Sequence, residues 1–425
     1  MTELRTNYSS IQTFRRCPQA WAYSYRFKLE EDETGRIPVE RDFGSWWAAL
    51  RAAFALERGR ELDTLLPISG PIPAPGVEWD PEDVTVEAVL DAAADWFSRH
   101  LRQTVEEGEP TIAEMWEGKL GVTDLRVSLR NTLARWEKEN ADELRSQQPL
   151  GVEVPWERHL DRPQSEGLWN GAGVGGDDWP EDLPTTTGGV TLFGHVDLIY
   201  YDTRREIVVV ADDKTRKELT ASDTADDMMD SQLHLYAWGV SPLIKEHLGK
   251  VPRAVSYIKT RSVQPRPPHL TTAGKLASRG GEPSLASCDL DTYLEWARDG
   301  VEWLGPKKPK SEERKPGGIY HAEEKVIEKL KTEAERSRWF QTTLSPLSRP
   351  AVRAHLLASL DSADGIAAAT RRVDVTGEAP RNITPFTCRW CDFAKLCRAQ
   401  MVGGPEMPDD VQQFGLRPKA RDIGR

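Results

Sequence analysis

Two strand-like runs in the middle of the chain constrain its fold more than any other feature of the sequence. Val190 to Tyr201 and Glu206 to Asp213 are rich in β-branched and apolar residues, and the intervening Asp202 to Arg205 is a turn-forming sequence. The two runs therefore predict an antiparallel hairpin. A further strand is predicted from Arg253 to Thr260. Since helical patterns precede and follow these strands, we expect an α/β fold.

Apolar residues at helical spacing predict helices on both sides of the hairpin. The predicted helices cover residues 8–29, 43–60, 83–104, 111–147, 226–238, 323–340 and 351–360. Strands are also expected at 151–159 and near Val373. Stretches rich in Gly, Pro or Ser predict irregular connections at 62–80, 161–189, 262–283 and 305–318.

Charge and hydropathy exclude several protein classes. Lys and Arg number 56 against 68 Asp and Glu, a formal net charge of −12, which argues against a generally basic nucleic-acid coat protein but permits a local basic groove. No run approaches about 18 apolar residues, and Met1 to Ser10 is polar, so we expect neither a membrane span nor a secretory signal. The five cysteines are too unevenly placed for a disulfide framework. An intracellular chain with a thiol-based metal or cluster site is expected instead.

The two hairpin strands carry carboxylates and a lysine. The first strand carries Asp197, and the second ends in Asp212, Asp213 and Lys214. Because side chains alternate along a strand, Asp212 and Lys214 project to the same face, and hairpin pairing can bring Asp197 near them. Converging carboxylates favour Mg²⁺ or Mn²⁺, and a lysine beside the metal can orient an attacking water, as in metal-assisted phosphodiester hydrolysis. Taken alone, a D-x-K tripeptide is also a common solvated strand end.

A helical sequence downstream of the hairpin supports the catalytic interpretation. Gln232 and Tyr236 lie four residues apart on one helix face, although a core tyrosine with a capping glutamine is the alternative. The segments GHVDLI (194–199), VVVADDKT (208–215) and QLHLY (232–236) resemble the PD-(D/E)xK nuclease superfamily, in its RecB-type branch with the AddB nucleases and the CRISPR-associated iron-sulfur exonucleases. The resemblance implies a restriction-endonuclease-like core, in which helices flank a mixed central sheet.

The resemblance also implies a role for each chemically active residue of these segments. It implies metal ligation by Asp197, Asp212 and the main-chain carbonyl of Asp213, catalysis by Lys214, and site support with DNA contact by Gln232 and Tyr236. Glu153 is a weaker candidate for an auxiliary acid. The branch usually carries a metal-binding histidine on an early helix, where this chain has Trp47 or Ala48 after Gly44. The metal shell is therefore one ligand short or is completed from elsewhere, with His195 as one substitute.

Four cysteines form a second constellation. Cys388, Cys391 and Cys397 are close in sequence, and Cys17 lies in a distant S-x-I-x-x-F-x-x-C-P-x-x-W phrase. Such thiols can hold zinc or an iron–sulfur cluster, and ordinary buried thiols are the structural alternative. The arrangement resembles that of AddB and the CRISPR-associated exonucleases, which implies a [4Fe-4S] cluster that staples the two ends of the chain together. For Cys288 we expect no role.

Aromatic and basic residues near these motifs are candidates for DNA contact, although packing and solvation are their commoner roles. They are Trp46, Trp47, Trp390, Arg15, Arg16, Arg389, Lys395, Arg398 and the basic loop Lys307–Lys315.

The combined motifs predict a metal-dependent DNA exonuclease that acts on ends or single strands, in phage recombination and genome processing or in CRISPR-type DNA end processing. The alternatives are a non-catalytic DNA-end-binding protein on the same fold and a zinc-stapled adaptor. No GxxxxGK[ST] motif occurs, so a recombination or helicase partner would be a separate protein. We expect the protein in the cytoplasm of a bacterial or phage-infected cell.

The length of 425 residues allows two to three structural units at roughly 150 residues each. The predicted divisions are N-terminal nuclease helices with the first cluster cysteine (1–60), a helical insertion (61–150), the nuclease core with loop insertions (151–380), and the C-terminal cysteine segment and tail (381–425).

Overall fold

The computed structural model describes most of the chain. Its described residues are 4–31, 39–101, 112–160, 190–217, 219, 230–265, 278–279, 282–283, 288, 290–299, 324–331, 339–389, 391–402, 411–414 and 416–418. The predicted connection at 161–189, the basic loop Lys307–Lys315 and Trp390 lie outside these residues.

Helices account for much of the described chain. They are α1 Tyr8–Arg16, α2 Pro18–Trp21, α3 Val39–Leu62, α4 Val86–Leu101, α5 Ile112–Leu120, α6 Leu125–Glu139, α7 Ala141–Ser146, α8 Ser231–Leu248, α9 Leu290–Asp299, α10 Glu324–Lys331, α11 Arg349–Thr376, α12 Pro385–Arg389 and α13 Ala394–Met401, with a π-helical turn at Ala22–Arg26 and a 3₁₀ turn at Gln412–Phe414.

The strands lie between these helices. They are β1 Leu4–Asn7, β2 Leu29–Glu31, β3 Ile72–Ala74, β4 Val77–Trp79, β5 Gln147–Leu160, β6 Val190–Asp202, β7 Ile207–Arg216, β8 Pro252–Arg261, β9 Ser278–Arg279, β10 Glu282–Pro283, β11 Phe340–Pro346 and β12 Leu416–Pro418.

Local sequence signals set several of these boundaries. The side chains of Asn7, Asp124 and Asp230 each accept a hydrogen bond from a main-chain amide in the first turn of a helix. Gly249 ends α8 in the left-handed conformation, which a residue without Cβ adopts readily. The carboxylate of Asp202 accepts hydrogen bonds from the main-chain amides of Arg204 and Arg205 and closes the turn between β6 and β7.

A six-stranded mixed sheet lies at the centre of the fold. Its strand order is β1, β6, β7, β8 and β11, with β5 paired to the other edge of β6. The β6–β7 pair is antiparallel, which confirms the predicted hairpin. The β7–β8 pair is parallel and is connected through α8, and β11 runs antiparallel to β8. The expected mixed central sheet is confirmed.

Strands β1 and β7 share one edge of β6 and leave a gap between them. Because β5 pairs with β6 from Val190 to Asp202, the other partners of β6 must use the opposite edge. On that edge β1 pairs with Val190 to Phe193, and β7 pairs with Leu198 to Asp202. The positions from Gly194 to Asp197 lie between the two ladders. The sheet is therefore split beside Asp197, and we call this opening the split edge.

Helices bury both faces of the sheet in separate hydrophobic cores. Helices α3 to α6 contribute to the core on one face, and α1, α8 and α11 contribute to the core on the other. Trp46 and Trp47 of α3 are 0% and 1% exposed and belong to the first core. Of the two roles that the sequence left open for them, core packing is therefore the observed one, and stacking on DNA bases is not available to these buried rings. Among the described residues, no helix has the length and apolar character needed to cross a membrane.

Several predicted elements differ from the observed ones, among them the connections expected at 62–80 and 262–283, which contain β3, β4, β9 and β10. The strand expected near Val373 is wrong, because Ile366, Ala369 and Val373 form the buried face of the long helix α11. The helix expected to reach Phe340 is described only over Glu324–Lys331, and Phe340 begins β11 instead. Within the described residues, the helix expected from about residue 226 begins at Ser231.

Candidate functional site

Asp197 and Asp212 face one another at the split edge. The β6–β7 ladder ends at the pair Leu198 and Ala211, so the next position places Asp197 across from Asp212. Beyond this pair, the main-chain amide of Asp213 donates a hydrogen bond of 2.9 Å to Oδ2 of Asp197. Where the candidate site begins, the main-chain pairing of β6 with β7 is therefore replaced by a hydrogen bond from a main-chain amide to a side-chain carboxylate.

A residue with left-handed backbone lies on the other side of Asp197. Glu153 of β5 lies between Val152 and Val154, which pair with the two neighbours of Asp197, and its φ angle is 45°. Residues two apart in a regular strand share a face, but Val152 packs in the core beside α3 whereas Val154 packs in the core beside α8. The sheet is therefore distorted at Glu153, and this distortion accompanies the entry of both carboxylates into one small cavity.

Lys214 and Gln232 contact Asp212 from two sides. Nζ of Lys214 lies 2.7 Å from Oδ2 of Asp212, and Nε2 of Gln232 donates to Oδ1 at 3.3 Å. The same amide donates to the hydroxyl of Tyr236 at 3.1 Å. The Asp212 side chain is 2% exposed, whereas that of Lys214 is 32% exposed. These four residues therefore come together as the sequence predicts, with Lys214 reaching the surface.

Helix α3 lines the cavity beside these carboxylates. The cavity has a volume of about 10 Å³, and its polar and small lining residues include Ala48, Arg51, Glu153, Asp197 and Asp213. Trp47 is buried in the core, so of the two residues at the position where the resemblance implies a histidine, Ala48 is the one that lines this cavity. His195 is exposed and is not among the lining residues.

Arg51 places a buried cation at this cavity. Its side chain is 4% exposed, and Nε lies 3.6 Å from Oδ1 of Asp213. The guanidinium carbon lies 3.3 Å from the ring centroid of Trp136, within the range of a cation–π contact. Burial raises the pKa of Asp213, and the positive charge of Arg51 opposes that rise. Arg51 therefore reduces the negative charge on the α3 side of the sheet.

Burial and mutual repulsion favour protonation of the facing carboxylates. Burial, followed by the negative charge of Glu153, raises the pKa of Asp197 to about 7. Burial and the charge of Asp197 raise the pKa of Asp212 well above its usual range. Burial lowers the pKa of Lys214, but Asp212 and Asp197 outweigh this effect and raise it overall. A divalent cation at this site would therefore compete with protons.

The donor set at the split edge fits a hard divalent cation. Mg²⁺ is commonly bound through one or two carboxylates, with water and phosphate oxygens in its remaining positions. Asp197 and Asp212 supply two carboxylates whose repulsion a cation would relieve. In the part of the chain that the structure describes, no group of three or more His, Cys, Asp or Glu side chains is arranged to hold a metal ion.

The four predicted cluster cysteines line one cavity. This thiol cavity has a volume of about 320 Å³, and Cys17, Cys388, Cys391 and Cys397 are among its lining residues. Cys17 is the C-cap of α1, and the other three lie on or beside α12 and α13. Cys288 is 1% exposed and is not among the lining residues. The fold thus gathers the same four thiols that the sequence pattern selects.

Two positively charged side chains, Arg381 and Arg398, are among the residues that line the thiol cavity. Burial raises the pKa of Cys391 and of Cys397, and Arg381 opposes the rise at Cys397 through a hydrogen bond and its charge. Five predicted phosphate-binding residues in this region are exposed, which leaves that prediction open: Arg15, Arg16, Arg389, Lys395 and Arg398.

Sequence reasoning missed two groups beside the candidate site. One is Arg51, whose position in an alanine-rich helix gave no signal of a contact with Asp213. The other is Asp230, which accepts hydrogen bonds from the hydroxyls of Tyr8 and Tyr257. An Asp immediately before a helix is a capping signal, and it would have identified Asp230 had the start of α8 been predicted correctly.

Comparisons with known proteins bear on the family of the chain. A search of curated proteins finds no match. Among solved structures, the chain is similar to one titled "Crystal structure of SSO0001", at 12% identity and a TM-score of 0.23, over 74% of this chain and 96% of that one. A family model described as the PD-(D/E)XK nuclease superfamily matches residues 5–398. Because this match covers nearly the whole chain, and the fold is a mixed sheet flanked by helices, the chain belongs to the PD-(D/E)XK nuclease superfamily.

Proposed function

We propose that this protein is a Mg²⁺- or Mn²⁺-dependent deoxyribonuclease, and specifically an exonuclease that acts on DNA ends or single strands. The superfamily consists generally of nucleases that hydrolyse phosphodiester bonds with divalent metals. The observation that carries the proposal is the convergence of Asp197 and Asp212 at the split edge, with Nζ of Lys214 2.7 Å from Asp212. The preference for ends rests on the resemblance of the sequence motifs to RecB-type exonucleases.

Each residue of the candidate site would have its own role in phosphodiester hydrolysis. A divalent cation held by Asp197, Asp212 and the Asp213 carbonyl would stabilise negative charge on the phosphate and acidify a bound water. Lys214 has three N–H donors, so it can contact Asp212 and still orient a water or a phosphate oxygen. The Gln232 amide holds Asp212 and Tyr236 together. Burial raises the pKa of Tyr236, so its hydroxyl remains protonated at neutral pH.

Cleavage of end-labelled DNA with Mg²⁺ or Mn²⁺, beside an EDTA control, tests the proposal. Linear and circular substrates, each single- and double-stranded, separate exonuclease from endonuclease activity. We expect metal-dependent cleavage of linear DNA, sparing of circles, and no cleavage by Asp212→Ala. Cleavage by Asp212→Ala at the wild-type rate would contradict the site, and cleavage of circles would contradict the exonuclease assignment.

We propose further that the thiol cavity holds a [4Fe-4S] cluster. The support is that all four thiols line one cavity of about 320 Å³, and soft thiolates are the ligands of such clusters. A zinc ion is the alternative for the same donors. Iron and sulfide analysis of protein purified without oxygen should give about four of each per chain. Colourless protein with one zinc per chain would show instead that the four thiols hold zinc, and it would favour the zinc-stapled adaptor.

One observation favours a second candidate function, a non-catalytic DNA-end-binding protein. Ala48 faces the carboxylates and offers no ligand atom from its side chain. Tight binding to DNA ends without cleavage in either metal would select this candidate. On either view, the protein would act in phage recombination and genome processing or in CRISPR-type end processing, with any recombination or helicase partner supplied separately.

A further inference from the structure

Asp230 joins three elements at the edge of the candidate active site. Its Oδ1 accepts the main-chain amide of Gln232 at 2.8 Å and so caps α8. The same oxygen accepts the hydroxyl of Tyr8, at the start of α1, at 2.6 Å. Its Oδ2 accepts the hydroxyl of Tyr257 on β8 at 2.7 Å. Capping requires only one carboxylate oxygen, so the tyrosine contacts go beyond what the helix end needs.

These contacts connect directly to Asp212. Tyr257 is the register partner of Asp212 in the parallel β7–β8 pair. Gln232, whose main-chain amide Asp230 binds, uses its side chain to donate to Oδ1 of Asp212 at 3.3 Å. Asp230 therefore fixes the first turn of α8 relative to the strand that carries Asp212. Its negative charge also adds to the field of Asp212 and Asp197 around Lys214.

Both tyrosines are constant donors to Asp230. Burial and the neighbouring carboxylate raise the pKa of Tyr8 and that of Tyr257 above the usual value, so both hydroxyls stay protonated throughout the neutral range. Hydrogen bonds to an ionised carboxylate are about twice as strong as bonds between neutral groups. The network therefore holds α1, β8 and α8 together through one side chain.

We propose that Asp230 is a positioning residue of the nuclease, which aims the Gln232 amide at Asp212 and thereby fixes the orientation of that carboxylate. The inference rests on the proposed nuclease function. Residues that orient a metal ligand from behind typically change metal affinity or activity by about 10- to 100-fold when removed. Asp230→Ala should therefore weaken Mn²⁺ binding and lower kcat by about 10-fold or more, with KM for DNA little changed.

A matched control separates positioning from helix capping. Asp124 caps α6 through the amide of Val127 at 3.0 Å, in the helical layer that packs on the other face of the sheet. Asp124→Ala should lower the melting temperature by less than Asp230→Ala does, because it removes a helix cap alone, and it should leave Mn²⁺ affinity and kcat unchanged. Asp230→Asn keeps an acceptor for the Gln232 amide and a partner for each tyrosine, so it should retain most of the activity.

The decisive measurements are Mn²⁺ titration calorimetry and steady-state cleavage on the full chain. Loss of Mn²⁺ affinity in Asp230→Ala but not in Asp124→Ala supports the inference. This holds even if wild type does not cut DNA, and only the proposed activity then fails. If wild type cleaves DNA, and Asp230→Ala has the same Mn²⁺ affinity and kcat as Asp124→Ala, the inference is overturned while the proposed activity stands. If Asp230→Ala does not fold, Tyr257→Phe replaces it, and unchanged affinity and kcat there overturn the inference. A wild type that neither binds Mn²⁺ nor cleaves overturns both.

Discussion

The main-chain amide of Asp213 donates a 2.9 Å hydrogen bond to Oδ2 of Asp197 on the neighbouring strand. A main-chain donor is not removed by substitution of its side chain. Asp197 should therefore keep its orientation in variants of Asp212, Lys214 or Gln232. Losses of activity in such variants can then be assigned to the altered side chain and not to a displaced Asp197.

Lys214→Met should remove the cation that contacts Asp212 while preserving the length of the side chain. We expect kcat to fall by on the order of 10²- to 10³-fold, because an oriented donor near the developing charge is lost. Mn²⁺ affinity should persist, since both carboxylates remain. Lys138→Met, which removes an exposed lysine paired with Asp291, is the control and should cleave like wild type. Equal activity in the two variants would contradict the role of Lys214.

Gly44→Ala should destabilise the protein by about 1–3 kcal/mol through overpacking. A Cβ at this position would lie 2.5 Å from Oγ1 of Thr215, at the end of β7. Gly118→Ala is the matched control, because a Cβ there meets no atom within 4 Å and α5 should gain from alanine. Urea unfolding measures both changes. The double variant Gly44→Ala with Thr215→Ala should recover stability, and its failure to do so would refute the clash.

The stability of metal-free protein should depend on pH through Asp197. Its pKa in the folded protein is raised to about 7 from an ordinary value of 3.8, so it favours the folded state fully below about pH 4 and progressively less as pH rises through 7. The free energy of unfolding of wild type minus that of Asp197→Asn should therefore decrease between pH 5 and about 8. Mg²⁺ should offset this decrease. A difference that is constant across this range would contradict the raised pKa.

Cys17→Ser should remove one ligand of the proposed cluster and loosen the two ends of the chain. We expect lower iron content, a lower melting temperature and faster proteolysis near the termini, with cleavage lost only where the fold is lost. Cys288→Ser is the matched control, because Cys288 is buried away from the thiol cavity, and it should leave iron content unchanged. A Cys17→Ser protein that melts like wild type yet cannot cut would point to a cluster role in DNA binding or redox control.

The core of the candidate site could be predicted from sequence because its residues are close along the chain or lie at the regular spacing of a strand or a helix. Asp212 and Lys214 share a strand face, and Gln232 and Tyr236 share a helix face, so local geometry alone aligns each pair. The hairpin then sets Asp197 opposite Asp212 through its short turn. These inferences need no knowledge of distant contacts.

The remainder depends on contacts between distant segments, which periodicity does not encode. The pairing of β1 with β6 joins Leu4 to Val190, and nothing in the polar segment LRTN indicates that strand. A strand is predicted near Val373 because β-branched residues favour strands, whereas packing of α11 against α1 and α8 overrides that preference. Arg51 is the same kind of case, since an arginine in a helix is ordinarily solvated.

The split edge has a consequence for the order of events during synthesis. One side of the opening is formed by β1, the first described strand, yet β1 cannot pair until Val190 to Phe193 have left the ribosome. The other side requires β7, and Gln232 follows still later. Pairings between such distant segments form slowly compared with local ones. The nascent chain therefore completes the candidate site only after more than half of it has been made, and the N-terminal segment must remain unpaired until Val190 to Phe193 have emerged.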